Sequence, residues 1–253
     1  MTAFMKKEWM ELCRSGRLLV LFLLFSLLGI MNPALAKLTP WLVETLSESL
    51  ADAGIAAAAV TVDAMSSWAQ FYKNFPLGMV FFILLTSGSF TTEYQKGTLI
   101  PVVTRGLTRR NIVLAKSLVI VALWTVMYWL CFGITCGYNA YFWDNKAANH
   151  LYFAAALAWL FGIWITSFVL LFSAVAQSGA QVLAGTGAIA LGVYLLSLFP
   201  KFGRFLPIRF LDGMSLLQGV TSVCDYAVSA TAAVFVSFLC IILAVVCFDR
   251  KQL

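Results

Sequence analysis

The stretch TEYQKGTLIPVVTRGLTRRNIVLAK, residues 92 to 116, decides how this chain is read. It is polar and biased towards positive charge, and it lies between two apolar runs that are each long enough to cross a bilayer. Glu93 closes the first run and is followed by a Gly97-Thr98 turn. A short apolar piece interrupted by Pro101 leads to a basic turn with Arg105, Gly106, Arg109 and Arg110, and Lys116 enters the next run.

Composition extends this reading to the whole chain. Its 253 residues are 62% hydrophobic and 11% charged, with a mean hydropathy of +0.91, whereas soluble domains carry charge on about a quarter of their residues. The chain is therefore an all-α integral membrane protein with a single transmembrane domain over residues 1–253. Spans are expected at about 18–36, 76–92, 111–143, 151–175, 181–200 and 226–248. The charge-free stretch 151–200 is too long for one span, and the polar turn Ala176-Gln177-Ser178-Gly179-Ala180-Gln181 divides it. Residues 37–75, with a net charge of −2, are expected as two short helices on the outer face. Residues 201–225, with Pro207, Arg209 and Asp212, are expected as short half-helices dipping into the outer leaflet.

Phe4, Met5, Trp9 and Leu12 recur at helical spacing among Lys6, Lys7, Glu8, Glu11 and Arg14, which reads as an amphipathic helix lying in the membrane interface. Residues 18–36 also have the parts of a secretory signal peptide, with Ala34-Leu35-Ala36 as a cleavage-like site, and are expected to stay as a span. Trp41, Trp68, Tyr141 and Trp143 fall where aromatic belts are expected.

The order of residues from Glu93 to Lys116 resembles the first cytoplasmic loop of the type-2 ABC export permeases, and Pro207-Ile208-Arg209-Phe210-Leu211-Asp212 is similar to a later segment of the same family. The resemblance implies a permease subunit of a bacterial exporter, multi-pass in the cytoplasmic membrane. It implies alternating access driven by two copies of a separate ABC ATPase, with ATP and Mg bound on that partner and no cofactor on this chain. A second permease, identical or homologous, completes the implied complex. Glu93, Gly97, Thr98, Arg105 and Arg109 become the ATPase-coupling segment, with Glu93 anchored on a nearby Arg or a helix N-terminus. The interfacial helix is similar to the family's connecting helix. Spans without charge favour a hydrophobic or amphipathic cargo such as a bacteriocin-like peptide, a drug or a lipid.

Other chemistries fit the sequence less well. No GxxxxGK[ST] loop is present, so the chain is not its own ATPase. The expected spans hold no charge away from their ends, which argues against an ion-coupled carrier or stand-alone channel. An intramembrane enzyme would have to rely on His150, the one histidine, without a GxSxG elbow. The six cysteines lie mostly in apolar runs without ligand-like spacing, so neither a metal nor a disulfide is expected. The charge of +6 sits beside spans and does not point to nucleic acid.

Small residues form a further pattern. Ala180, Ala184, Ala188 and Gly192 recur every four residues, as do Ala154, Ala158 and Gly162. Such stripes let helix backbones approach closely in lipid, either within the subunit or against a second one.

With both termini inside, 11 of the 17 basic residues fall on the cytoplasmic side, as the positive-inside rule requires. Single reporter cysteines in a cysteine-free background should react from outside at Ser47, Asn145 and Ser215, and be shielded at Thr104 and Gln252. Outside labelling at Thr104 would invert the topology.

Overall fold

The computed structural model describes residues 2–51, 63–97, 108–199, 203 and 205–250. Helix α1 (Thr2–Arg14) precedes α2 (Arg17–Ala51), α3 (Ala64–Thr86) and α4 (Gly88–Gln95). Then come α5 (Arg109–Phe142), α6 (Leu151–Val175) and α7 (Gly179–Ser197). A 3₁₀ turn (Pro207–Leu211), α8 (Gly213–Leu217), a second 3₁₀ turn (Val223–Tyr226) and α9 (Ala227–Arg250) follow. Among the described residues, six helical stretches are long and apolar enough to cross a membrane, with α3 and α4 counting as one. The short pieces between α7 and α9 stand where half-helices were expected.

The segment 37–75 departs from expectation. α2 runs on unbroken to Ala51, and α3 begins at Ala64 with Pro76 inside it. Trp68, Phe71, Tyr72 and Phe75 are buried on α3 and do not lie along the membrane face; Trp68, expected in the aromatic belt, is 0% exposed. The reason is register: this aromatic face meets Tyr128 and Phe132 of α5, with the Trp68 and Phe132 rings 5.3 Å apart and those of Phe75 and Tyr128 5.9 Å apart. Trp41 and Tyr141 are exposed. The longer helices also bring Lys37 and Lys73 inside helical stretches that were expected to be free of charge. At roughly 1.5 Å per residue Lys37 lies about 30 Å from Arg17, a full hydrocarbon thickness away, so it reaches the opposite interface. There its ammonium sits 4.0 Å from the Phe142 ring centroid.

In hydrocarbon a backbone group freed by proline must find another partner. Pro33 removes the N–H that would bond the carbonyl of Gly29, and Thr135 Oγ1 of α5 donates to that carbonyl at 3.0 Å. The interface between α5 and α6 uses the same logic for its aromatic side chains. Trp124 Nε1 donates to the Trp159 carbonyl at 3.1 Å, Tyr128 Oη to the Ala155 carbonyl at 2.7 Å, and Trp159 Nε1 to Thr125 Oγ1 at 3.1 Å. α9 packs most extensively on α6.

The two small-residue stripes have different surroundings. Ala154, Ala158 and Gly162 are buried on α6. Ala180, Ala184 and Ala188 are exposed, Gly192 is half-buried, and a methyl at Gly192 would meet nothing within 4 Å. Packing of α7 within the subunit uses another face, where Val182 and Thr186 are buried and Gly185 lies under Phe172.

A Cβ at Gly162 would lie 2.0 Å from Trp124 Cζ2, inside a ring that is already hydrogen-bonded in place. Gly162→Ala should therefore cost about 1–3 kcal/mol by overpacking. Gly133→Ala, with open space around it in the interior of α5, should leave stability unchanged or raise it by up to about 1 kcal/mol. Thermal unfolding in detergent checks this, and equal losses in both variants would contradict the packing assignment.

Candidate coupling site

The polar groups of the chain's basic end converge on α4. Its acid, Glu93, is buried, although a helix end at the interface leaves a carboxylate free to reach water. The reason lies in the elements on either side. α1 presents Phe4, Glu8 and Leu12, one residue per turn, as its buried face, which places an acid in the middle of an apolar stripe. α5 presents Lys116 two turns after its start, among the buried residues Ile112, Val113 and Ala115.

These groups meet in one cluster. Lys116, 2% exposed, donates to Glu8 Oε2 at 2.6 Å and to the Ser89 carbonyl at 3.2 Å, and its ammonium lies 3.0 Å from Glu93 Oε2. Lys7 donates to Glu93 Oε1 and lies 3.1 Å from both Glu8 and Glu11. The Lys116 ammonium also sits 5.3 Å from the Phe90 ring centroid and 6.0 Å from that of Phe4, within cation–π range. Burial by itself lowers the pKa of Lys7, but the bond to Glu93 and the field of Glu8 outweigh it and raise the pKa above its ordinary value. Burial likewise raises that of Glu11, and the bond to Lys7 outweighs it, leaving the carboxyl below its usual range.

The carboxylates of Glu8, Glu11 and Glu93 come within 4.8 Å of one another, a spacing that would suit a cation. The two ammonium groups already lie among those oxygens and supply the counter-charge. The cluster's chemistry is therefore mechanical. Breaking a buried pair by removing one partner typically costs about 3–5 kcal/mol, so α1, α4 and the start of α5 are constrained to move together.

The rest of α4 is held from two further sides. Tyr94 and Phe90 pack on Phe248 near the end of α9, with ring centroids 5.7 and 6.1 Å apart. Gln95 Nε2 donates to the carbonyl of Gln177, in the turn between α6 and α7, at 3.3 Å. In that turn Ser178 caps α7 by accepting from the Gln181 N–H. Arg109 donates to the Asp249 carbonyl at 3.2 Å and Arg110 Nε to Asp249 Oδ2 at 2.6 Å, tying the start of α5 to the end of α9.

Of the residues expected to form the coupling segment, Glu93, Gly97 and Arg109 are placed at this end of the bundle. Thr98 and Arg105 lie outside the described residues. Among the described residues, two lysines lie against Glu93, the partly exposed Lys7 of α1 and the buried Lys116 of α5. Gly97 follows α4 at φ +64°, with its N–H on the Tyr94 carbonyl at 3.1 Å, a left-handed helix exit that suits glycine. Helix α1, expected at the membrane interface, divides its apolar residues. Phe4 and Leu12 face the protein, Met5 is half-buried, and Trp9 is 43% exposed. Sequence reasoning missed Glu8 and Asp249. Glu8 had a legible signal, an acid four residues from both Phe4 and Leu12.

Known proteins share this chain's sequence features. A family described as ABC-2 family transporter protein matches residues 2–226. The chain is 25% identical over 214 residues, 82% of its length and 80% of the relative's, to the uncharacterized transmembrane protein YxlG of Bacillus subtilis (strain 168). This multi-pass membrane chain belongs to the ABC-2 transporter family, as the membrane permease of an ABC transporter that works with an ATPase partner.

Proposed function

We propose that the chain is the permease half of an ABC exporter in a bacterial cytoplasmic membrane, and that α1, α4 and the segment from Glu93 to Arg110 form its dock for the ATPase. The observation that carries the reading is the ion-pair cluster in which the buried Glu8, Glu93 and Lys116 meet the partly exposed Lys7. A dock that transmits a push must be stiff, and here one ion-pair network ties the interfacial helix to the ends of two membrane helices. The links from Arg109 and Arg110 to Asp249 and from Phe90 and Tyr94 to Phe248 carry the same movement to α9. Two ATPase subunits, each binding ATP and Mg, supply the energy and a second permease, identical or homologous, completes the path.

The cargo in this reading is hydrophobic or amphipathic: a peptide of bacteriocin type, a drug or a lipid. Supporting it are the membrane-facing surfaces of α7 and α9, which expose Leu191, Tyr194, Phe235 and Phe238. The exposed stripe Ala180, Ala184, Ala188 and Gly192 is a close-approach surface for the second permease.

Two substitutions test the dock. Glu93→Gln removes one charge from the network, and Gly97→Val forces a β-branched residue into a positive-φ position, a strain of about 1–3 kcal/mol. Both should leave membrane insertion near normal and abolish cargo-stimulated ATP hydrolysis by the assembled complex while basal hydrolysis persists. A basic loop that only orients the chain against anionic lipid would tolerate both. Full stimulation in either variant, with the complex intact, would rule out coupling through this segment.

A further inference from the structure

The short pieces between α7 and α9 form a cap that is packed firmly on the bundle. In a 3₁₀ turn side chains three apart share a face, and in Pro207–Leu211 that pair is Pro207 and Phe210, both buried, which leaves Ile208 and Arg209 half-buried beside them. Further on, Leu216 and Leu217 are buried, and a Cβ at Gly213 would come within 2.1 Å of Tyr72 Cζ on α3. The cap joins the ends of α7 and α9 that lie away from the Glu93 cluster, since α4 meets Gln177 just before α7 and Phe248 near the end of α9. The 19 residues of α7 separate the two levels. At the usual helical rise that is roughly 28 Å, about one hydrocarbon thickness.

An open cavity of about 780 Å³ lies between this cap, the end of α7 and the start of α9, within the size range of small-molecule sites. Phe205, Ile208 and Val228 give it apolar walls, and the charged residues in its described lining are Arg209 and Asp225. Phe205 and Val228 are exposed, so the apolar side is open.

Arg209 is held in place without being used up. Tyr226, 2% exposed, has its hydroxyl 3.3 Å from both Ser215 Oγ and Thr221 Oγ1, which fixes its ring. The Arg209 guanidinium lies 5.1 Å from that ring's centroid, within cation–π range, and donates from Nη1 to the Asp225 carbonyl at 3.4 Å. A guanidinium carries five N–H donors, and among the described residues this long bond is its one hydrogen bond, with no ion pair beside it. The other polar groups of the lining have local work. The Asp225 carboxylate accepts from the N–H and the hydroxyl of Ser222 at 3.0 and 2.9 Å, and Ser197 donates to the Tyr194 carbonyl at 2.6 Å.

We propose that this cavity is a binding site for a membrane phospholipid, with the phosphodiester on the Arg209 guanidinium and the acyl chains along Phe205, Ile208 and Val228. The planar fork of a guanidinium matches two phosphate oxygens at once, and stacking on Tyr226 sets its orientation beforehand. Arg209 and Asp225 sum to no net charge, so a small free anion gains little here. A phospholipid of zwitterionic head group brings no excess charge and adds the burial of its chains against the apolar walls. The proposal goes beyond the permease reading and needs only the fold.

The cavity carries its own reporter, because Cys224 lines it and is exposed, whereas the exposed Cys13 lies on α1 at the other end of the bundle. The test follows alkylation of both thiols by a maleimide, peptide by peptide, in the full chain in detergent. Dihexanoyl phosphatidylethanolamine should slow Cys224 saturably, by roughly tenfold once the lipid reaches about ten times its Kd, and leave Cys13 unchanged. Dihexanoylglycerol, which lacks the phosphate, and inorganic phosphate, which lacks the chains, should each leave Cys224 near its free rate. Arg209→Gln should remove the protection by the phospholipid. An unslowed Cys224 would overturn the proposal. So would equal protection by dihexanoylglycerol, which would mean a merely greasy cavity, or by inorganic phosphate, which would mean a free-anion site; these results need no variant to fold. Because no ATPase is in the assay, a negative result leaves the permease reading standing.

Discussion

The ammonium of Lys116 is buried two turns into α5, and this end of the helix bundle is arranged around it. A lone charge there would be prohibitive, so the chain brings two carboxylates and a backbone carbonyl to it from two other elements. Meeting that demand fixes where α1 lies, how α4 leaves α3 and how far α5 enters the membrane. Such clusters contribute little net stability over an apolar packing of the same shape. Their strength is selectivity among arrangements, since any register that separates Glu8 or Glu93 from Lys116 strands a charge. A permease that must relay movement from an outside motor needs this kind of constraint more than it needs extra stability.

Deeper in the bundle the constraint becomes the absence of water. Backbone and side-chain polar groups are matched between helices: Thr135 to the carbonyl freed by Pro33, Tyr128 and Trp124 to carbonyls of α6, Asn32 to Asn74. These contacts are specific and few, and ring-on-ring packing fills the space between them. The contrast with α7 is instructive, since that helix buries Val182 and Thr186 and leaves most of its length to lipid or to another subunit.

Much of the architecture was legible because apolar runs without charge have few other interpretations in a chain this hydrophobic. The turn at Ser178 and the short pieces around Pro207 were visible from local polarity and proline. The segment from Lys37 to Phe75 was misread because its leucines and aromatics repeat at helical spacing either way. Periodicity marks a helix and a face but not whether that face meets lipid headgroups or Tyr128 and Phe132. At the candidate site Glu93 and Gly97 stood out from their order along the chain, whereas the partners of Glu93 did not. Lys7 and Lys116 are 109 residues apart in sequence, and only the docking of α1 on α5 brings them to the same carboxylate. Asp249, an acid near the end of the last helix, carried no local signal for its pairing with Arg110.

Backbone hydrogen exchange of α1 in Lys116→Met tests whether the buried charge of Lys116 holds α1 in place. Loss of a buried partner worth about 3–5 kcal/mol should lower the protection of the α1 amides roughly a hundredfold or more. Protection within α6, which has no part in the cluster, should be unchanged, showing that the bundle itself is intact. Undiminished protection of α1 in that variant would mean that the helix is held by the membrane surface and the contacts of Phe4 and Leu12 alone, and that the ion-pair network does not couple it to α4 and α5.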